Sequence, residues 1–161
     1  MKTNSTIKLA FAFGKIIFTI ILLIIIGISW WNVYVYVTYF QYQKNVLAVR
    51  GSVLGAYVVD TEEQRMQGLS EKGFLPSGMS MLFVFDKPDT YGIWMKDMNF
   101  PLDIVWLDKD KKIIYTLSHV DPSTYPHVFY PPTEALYVLE VRSGFLENQG
   151  IKVGDMFYFE D

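Results

Sequence analysis

The chain has no cysteine in 161 residues. That excludes disulfides, thiolate-held iron–sulfur clusters, thiol catalysis and a lipid-modified cysteine. It has no acidic residue before Asp60, and no charge of either sign from Ile16 to Gln43, a stretch of 28. Histidine is confined to His119 and His127. No HExxH spacing and no GxSxG nucleophile elbow is present. Residues 46–161 show neither a long helical periodicity nor an internal repeat, which argues against an all-α domain and a solenoid.

The uncharged stretch has two parts. "IIFTIILLIIIGI" is hydrocarbon-like and "SWWNVYVYVTYFQYQ" is rich in Trp and Tyr, residues that gather at the membrane–water boundary. As a helix it would be roughly 42 Å long, close to the full bilayer with its headgroups. Lys2, Lys8 and Lys15 precede it and Lys44 and Arg50 follow it, which favours a cytoplasmic N-terminus. The expected organisation is a basic cytoplasmic segment over 1–15, a transmembrane signal anchor over 16–43 and an extracytoplasmic domain over 44–161. The alternative is a cleaved signal peptide with Ile16–Ile26 as its apolar core and a cut near Gly27 and Ser29, releasing a secreted protein.

Charge separates the two parts. Residues 1–59 carry five basic side chains and no acid, whereas 60–161 carry nine basic and 17 acidic side chains. An acidic outer domain offers no electrostatic footprint for nucleic acid and no attraction to anionic headgroups.

What the outer part does contain is short apolar runs punctuated by Gly, Pro and Asp, the pattern of an all-β domain. Strands are expected at "VLAVRG", "SVLGAYVVD", "MSMLFVF", "YGIWM", "LDIVWL", "IIYTLS", "ALYVLEV" and "MFYFE", with the first turn at Gly51-Ser52. Two short helices interrupt them. "TEEQRMQ" has Thr61 and Gln64 placed for a capping box. "GFLENQ" has Ser143 as its cap, Gly150 as its left-handed stop and Ile151 closing over it. The expected fold is a compact β-sandwich, jelly roll or barrel.

Asp103 is the residue out of place. It lies in "LDIVWL", where alternation puts it with Val105 and Leu107 and puts Leu102, Ile104 and Trp106 on the opposite face. A carboxylate there costs several kcal/mol unless it is paired and hydrogen-bonded. Lys96, Arg65 and Arg142 are candidate cations; loop amides are the other solution. Glu140 in "YVLEV" poses the same question, and the two acids form the pair that glycoside hydrolysis would need. Met66, Met79, Met81, Met95 and Met98, with His119 and His127, offer soft ligands for Cu(I). Their strand spacing reads instead as packing, so no cofactor is expected. Ser118-His119 is a fragment of a triad, and Trp94, Trp106, Tyr91, Tyr125 and Tyr130 are candidates for a stacking surface or for core.

Several motifs then line up in order: "DTEEQRMQGLS", "LP", "MLFVF", "WMKDMNFPLDIVWLD", "TYP", "YVLEVRSGF" and "GIKVGD". Together they resemble the family called domain of unknown function 192, from about Val46 to Phe159. The resemblance implies a mostly β fold of sandwich or jelly-roll type, often behind a signal peptide or anchor, and brings no assigned activity. Its motif residues fall here on Arg65, Gly68, Leu69, Met81 to Phe85, Trp94, Met95, Lys96, Pro101, Asp103, Tyr137, Glu140, Gly144, Gly154 and Asp155. Two departures stand out. Ser80 replaces the family's usual Gly, so the tightest turn is either made by Gly78 or relaxed, and Ser123 stands in a loop where many members carry a Cys pair.

No complete catalytic constellation is legible, so binding is favoured over catalysis. The expected function is a membrane-anchored envelope module that binds a protein or a glycan, with its site around Arg65, Trp94, Met95, Lys96, Asp103 and Glu140. The alternatives are a hydrolase acting on envelope glycans through Asp103 and Glu140, and a structural accessory with no pocket.

Overall fold

A computed structural model describes residues 25–30 and 43–160, and side chains within the first strand from Val46 onward. Most of the span expected over 16–43 lies outside the described residues. Ile25–Trp30 is helical with its large side chains exposed. Among the described residues, no helix is long and apolar enough to cross a membrane.

Residues 42–161 form one compact unit of mainly β structure. Its strands are β1 (Gln43–Val49), β2 (Ser52–Val59), β3 (Met79–Asp89), β4 (Ile93–Trp94), β5 (Leu102–Leu107), β6 (Ile113–Val120), β7 (Val128–Phe129) and β8 (Ala135–Arg142). Helices α1 (Glu62–Gln67) and α2 (Phe145–Gln149) follow β2 and β8. Six strands form one sheet in the order β1-β2-β3-β8-β5-β6, and β4 pairs with β7 apart from it.

Local chemistry accounts for most of the joints. The β1–β2 hairpin turns at Arg50-Gly51, one residue earlier than expected. Both residues have positive φ, 47° and 84°, and Val49 pairs with Ser52, as a two-residue primed turn requires. Thr61 and Gln64 form the expected capping box in both directions. Through α1 the chain crosses over, so that β2 and β3 run parallel, a pairing a tight hairpin cannot make. Gly78, at φ 75°, takes the left-handed turn before β3, and the buried Ser80 hydroxyl donates to the Gly55 carbonyl at 3.0 Å.

The sheet has two apolar faces. One carries Leu47, Leu54, Leu82, Val105, Leu107, Leu139 and Val141 and is covered by Leu146, Ile151 and Phe157. The other carries Phe83, Leu102, Ile104, Trp106 and Val138 and is covered by Leu69, Leu75, Ile93 and Met95. All six residues of β5 are buried, so β5 is walled on both sides.

The last segment closes the first of these faces. Ala48 and Tyr158 exchange backbone bonds of 2.9 and 2.8 Å. Phe157 N–H donates to Lys111 O, and Ile113 N–H to Asp155 O. Residues 154–158 thus join edge strand β1 to the β5–β6 hairpin. The expected strand "MFYFE" is present as two isolated bridges, at Met156 and Tyr158.

Asp103 lies inside that closure and is fully buried. It meets none of the three cations considered for it. Its Oδ1 accepts from the His119 amide at 2.9 Å and the Gly144 amide at 3.1 Å. Its Oδ2 accepts from the Leu146 amide at 3.0 Å. His119 and Gly144 both sit at positive φ, 56° and 84°. For a non-glycine residue such as His119 that conformation costs roughly 1–2 kcal/mol. Asp103 therefore caps α2 from a distant strand, which is why Gly144 stands at the cap with no side-chain bond of its own. Ser143, expected to cap, bonds the His119 ring instead. At the other end Gly150 is left-handed and Ile151 N–H closes onto Leu146 O at 2.9 Å, as expected.

Replacing Asp103 with Ala would leave three buried N–H groups without an acceptor, at about 1–3 kcal/mol each. Asp103→Ala is expected to lower Tm by roughly 10 °C or more, and Asp103→Asn, which turns one acceptor into a donor, by a smaller amount. Thermal unfolding followed by circular dichroism checks this; a variant within about 2 °C of wild type would show that the cap is dispensable.

Candidate functional site

The face of the sheet opposite Asp103 carries the candidate site. Asp103 pairs with Val141 and Ile104 with Glu140 across β5 and β8, so successive residues send the two acids to opposite faces. They cannot flank one glycosidic bond, and the two-carboxylate arrangement is not formed.

Glu140 stands in a row with Met81 on β3 and Ile104 on β5. It is 5% exposed, and its Oε2 has no hydrogen-bond partner among the described residues. Burial pushes its carboxyl up to about 8, so at neutral pH it is mostly the uncharged acid. A buried, unsatisfied carboxyl at a cavity wall is the kind of group that marks functional sites.

That wall belongs to a cleft of about 600 Å³ between α1, β3 and the β4–β7 ribbon. The volume falls within the ordinary range for small-molecule sites. Glu140 lies on its sheet side. Phe83, Phe85, Tyr91, Trp94 and Tyr130 supply aromatic surface.

The aromatic wall is held rigidly. Phe85 and Tyr91 stack at 3.5 Å with ring planes 7° apart. The Arg65 guanidinium lies 5.0 Å from the Phe85 ring centre and donates to Val84 O and Asp60 O at 2.8 and 2.6 Å. Buried Trp106 donates its indole N–H to Tyr91 O at 2.9 Å, and the Tyr91 hydroxyl donates to Lys87 O at 2.8 Å. The Tyr91 phenol is held above its usual value, first by desolvation and then by Asp89. Gly92 lets this wall close up: a Cβ there would stand 2.6 Å from both the Val128 and the Tyr130 side chains.

Of the residues expected at a site, Arg65, Trp94 and Glu140 line this cleft together. Trp94 remains 39% exposed, with its ring edge-on to Tyr125 at 6.4 Å. Met95, 1% exposed, is core. Lys96 is half-exposed beside Asp97 at 3.9 Å. Asp103 is sealed on the other face. Phe83 and Phe85 read as ordinary core in "MLFVF"; only the depth of the cleft singles them out.

Other chemistry considered for the chain is not assembled. Met79, Met81 and Met95 pack in the core, and no group of three His, Asp or Glu among the described residues could hold a metal. His119 contacts Ser143 at 2.7 Å and Glu147 at 3.5 Å, an exposed serine–histidine–carboxylate row formed without Ser118. The Gly144 and Leu146 amides beside Ser143 already bond Asp103, so neither can hold an oxyanion. A second cleft of about 520 Å³, around Ser52, Arg142 and Gln149, has no buried titratable group.

The family described as DUF192, uncharacterized ACR, matches residues 45–159. A crystal structure from Sinorhizobium meliloti 1021, of a protein described as a proposed transcription regulator, is 24% identical. It aligns over 71% of this chain and 91% of that one with a TM-score of 0.66. A protein of unknown function from Novosphingobium aromaticivorans DSM 12444 gives the same identity, TM-score and coverage of this chain, over 82% of its own. At such identities these structures are similar in fold alone. No curated protein matches the chain.

Glu140 yields a pH prediction. A carboxyl whose pKa rises on folding from about 4.5 to about 8 binds its proton more tightly in the folded state. Stability is therefore lost as pH climbs between those values, by about 1.4 kcal/mol per pH unit at most, and levels off above 8. Glu140→Gln is expected to remove this slope and to be more stable than wild type at pH 8. Urea unfolding at pH 5, 6.5 and 8 measures it; parallel profiles for the two proteins would refute the assignment.

Proposed function

We propose, since this chain belongs to the DUF192 family, that its β domain is a binding module held outside the cytoplasm by residues 16–43. The ligand site of the module is the aromatic cleft above Glu140. The observation that carries this reading is the unsatisfied Glu140 carboxyl at the wall of a cavity of about 600 Å³. A buried polar group without a partner costs about 1–3 kcal/mol, and an occupant that meets it recovers that energy.

The anchor rests on the 28 uncharged residues with Lys2, Lys8 and Lys15 ahead of them and on the aromatic belt at their outer end. A binding role is favoured over catalysis because Asp103 and Glu140 face apart and because, among the described residues, no nucleophile–base pair lines the cleft. A glycan or a polypeptide end from the envelope has the apolar faces and polar groups that such a cleft would engage.

Two measurements test the two halves. Protease added to intact cells is expected to degrade the β domain while a cytoplasmic marker survives; protection until lysis would overturn the orientation. Hydrogen exchange of the chain in its native membrane, set against the purified chain in detergent, reads occupancy. Slower exchange over residues 62–70 and 85–94 in the membrane is expected for a filled cleft. Equal exchange would make the domain an accessory without a ligand.

A further inference from the structure

The cleft wall poses an electrostatic question that the protein itself leaves open. Glu140 has no hydrogen bond to Oε2 and no ion pair among the described residues. From α1, Glu62 and Arg65 share the cleft with it; from β3, Asp86 and Lys87; from the loops beside β4 and β7, Tyr91 and Tyr130. Strand β5 presents only Leu102, Ile104 and Trp106 to this face. Arg65 is already committed to two carbonyls and the Phe85 ring.

We propose, resting on the cleft as the binding site, that its occupant carries an organic ammonium group, with Glu140 as counter-ion and Tyr91, Trp94 and Tyr130 as the surrounding aromatic faces. Each half of the cleft's chemistry favours a cation. Aromatic faces carry negative quadrupole density and attract ammonium groups by about 0.5–2 kcal/mol each when desolvated. Glu140 can ionise in its buried position only with a positive partner beside it. An anionic ligand would find Glu62 and Asp86 balanced by Arg65 and Lys87, and would gain nothing from Glu140 beyond a hydrogen bond while that acid keeps its proton. A hard metal ion would find one carboxylate among rings in place of the six or more oxygens it prefers. An alkylated ammonium, weakly hydrated and bounded by apolar groups, suits both the rings and the acid.

Binding is coupled to a proton. In the empty cleft burial holds the Glu140 proton up to about pH 8. The incoming cation favours the ionised form, so the proton leaves to solvent as the cation enters. The apparent Kd therefore rises about tenfold for each pH unit below 8 and becomes flat above it. A neutral ligand that accepts a hydrogen bond from the acid would show the reverse, binding more weakly as pH rises through 8.

The test is calorimetric titration of the full chain in detergent with benzyltrimethylammonium, whose charge does not change with pH. Its neutral carbon isostere, neopentylbenzene, is the comparison probe. The expected result is cation binding at least tenfold tighter than isostere binding at pH 8, with about one proton released per cation at pH 6.5, read from buffers of differing ionisation enthalpy. Glu140→Gln should bind the cation at least tenfold more weakly and without pH dependence. Trp94→Ala should weaken binding several-fold and keep the wild-type pH profile. The wild-type profile decides the matter even where a variant fails to fold.

A pH-independent cation affinity, no cation binding, or equal binding of the isostere overturns the inference. Equal binding of the isostere would do so while leaving the cleft as a ligand site. The wider reading of a binding module falls separately, on the hydrogen-exchange comparison.

Discussion

Asp103 reaches into a space from which water is excluded, and the chain meets it with amides drawn from two places. One belongs to His119, near the end of β6, and two to the β8–α2 junction, at Gly144 and Leu146. These segments are far apart in sequence and would otherwise have no reason to adopt two positive-φ residues side by side. The carboxylate offers what both need, an acceptor for N–H groups that the sheet ladder and the short helix leave over. Leu146, brought down by the same bond, covers one face of the sheet. The helix cap, the end of β6 and the lid of one core face are thus aspects of a single hydrogen-bonded centre.

The sheet divides two acids of opposite character. Asp103 and Glu140 come from adjacent strands at neighbouring register positions, yet one is saturated with donors and the other has an oxygen with none. A fold that can build a three-amide cradle for one carboxylate has the means to satisfy the other. Leaving Glu140 bare at a cavity wall concentrates the molecule's unspent polarity at one place. The rigid wall beside it, locked by the Phe85–Tyr91 stack and the Trp106 bond, keeps the cavity open where a looser set of side chains would collapse into it.

Much of this was legible from spacing alone. Alternation along "LDIVWL" sorted Asp103 with Val105 and Leu107, and the two core faces divide the strand in that way. The Thr61 capping box and the Gly150 stop are local hydrogen-bond arrangements whose partners lie within a few residues, so a short window contains all the information. Asp103's partners lie up to 43 residues away. Its environment is a product of topology, and charge pairing, the simplest short-range guess, named cations that the fold sends elsewhere. Lys96 stood close in the motif but faces solvent, because the turn at Asp97, with φ 54°, carries it out of the strand. Glu140 read as a second carboxylate in an apolar strand, with nothing to say what buries it. Its burial comes from α1 and the β4–β7 ribbon folding over it, which no pattern within β8 announces. The hairpin turn falls one residue early because Arg50, a non-glycine residue, adopts a positive φ of 47° beside Gly51.

The segment at 154–158 also sets an order of events. It stitches β1, the first strand to be made, to the β5–β6 hairpin, and it delivers Phe157 into the core between them. On a ribosome these residues emerge after the strands they join, so β1 and the β5–β6 hairpin lack this link, and the core lacks Phe157, until translation reaches them.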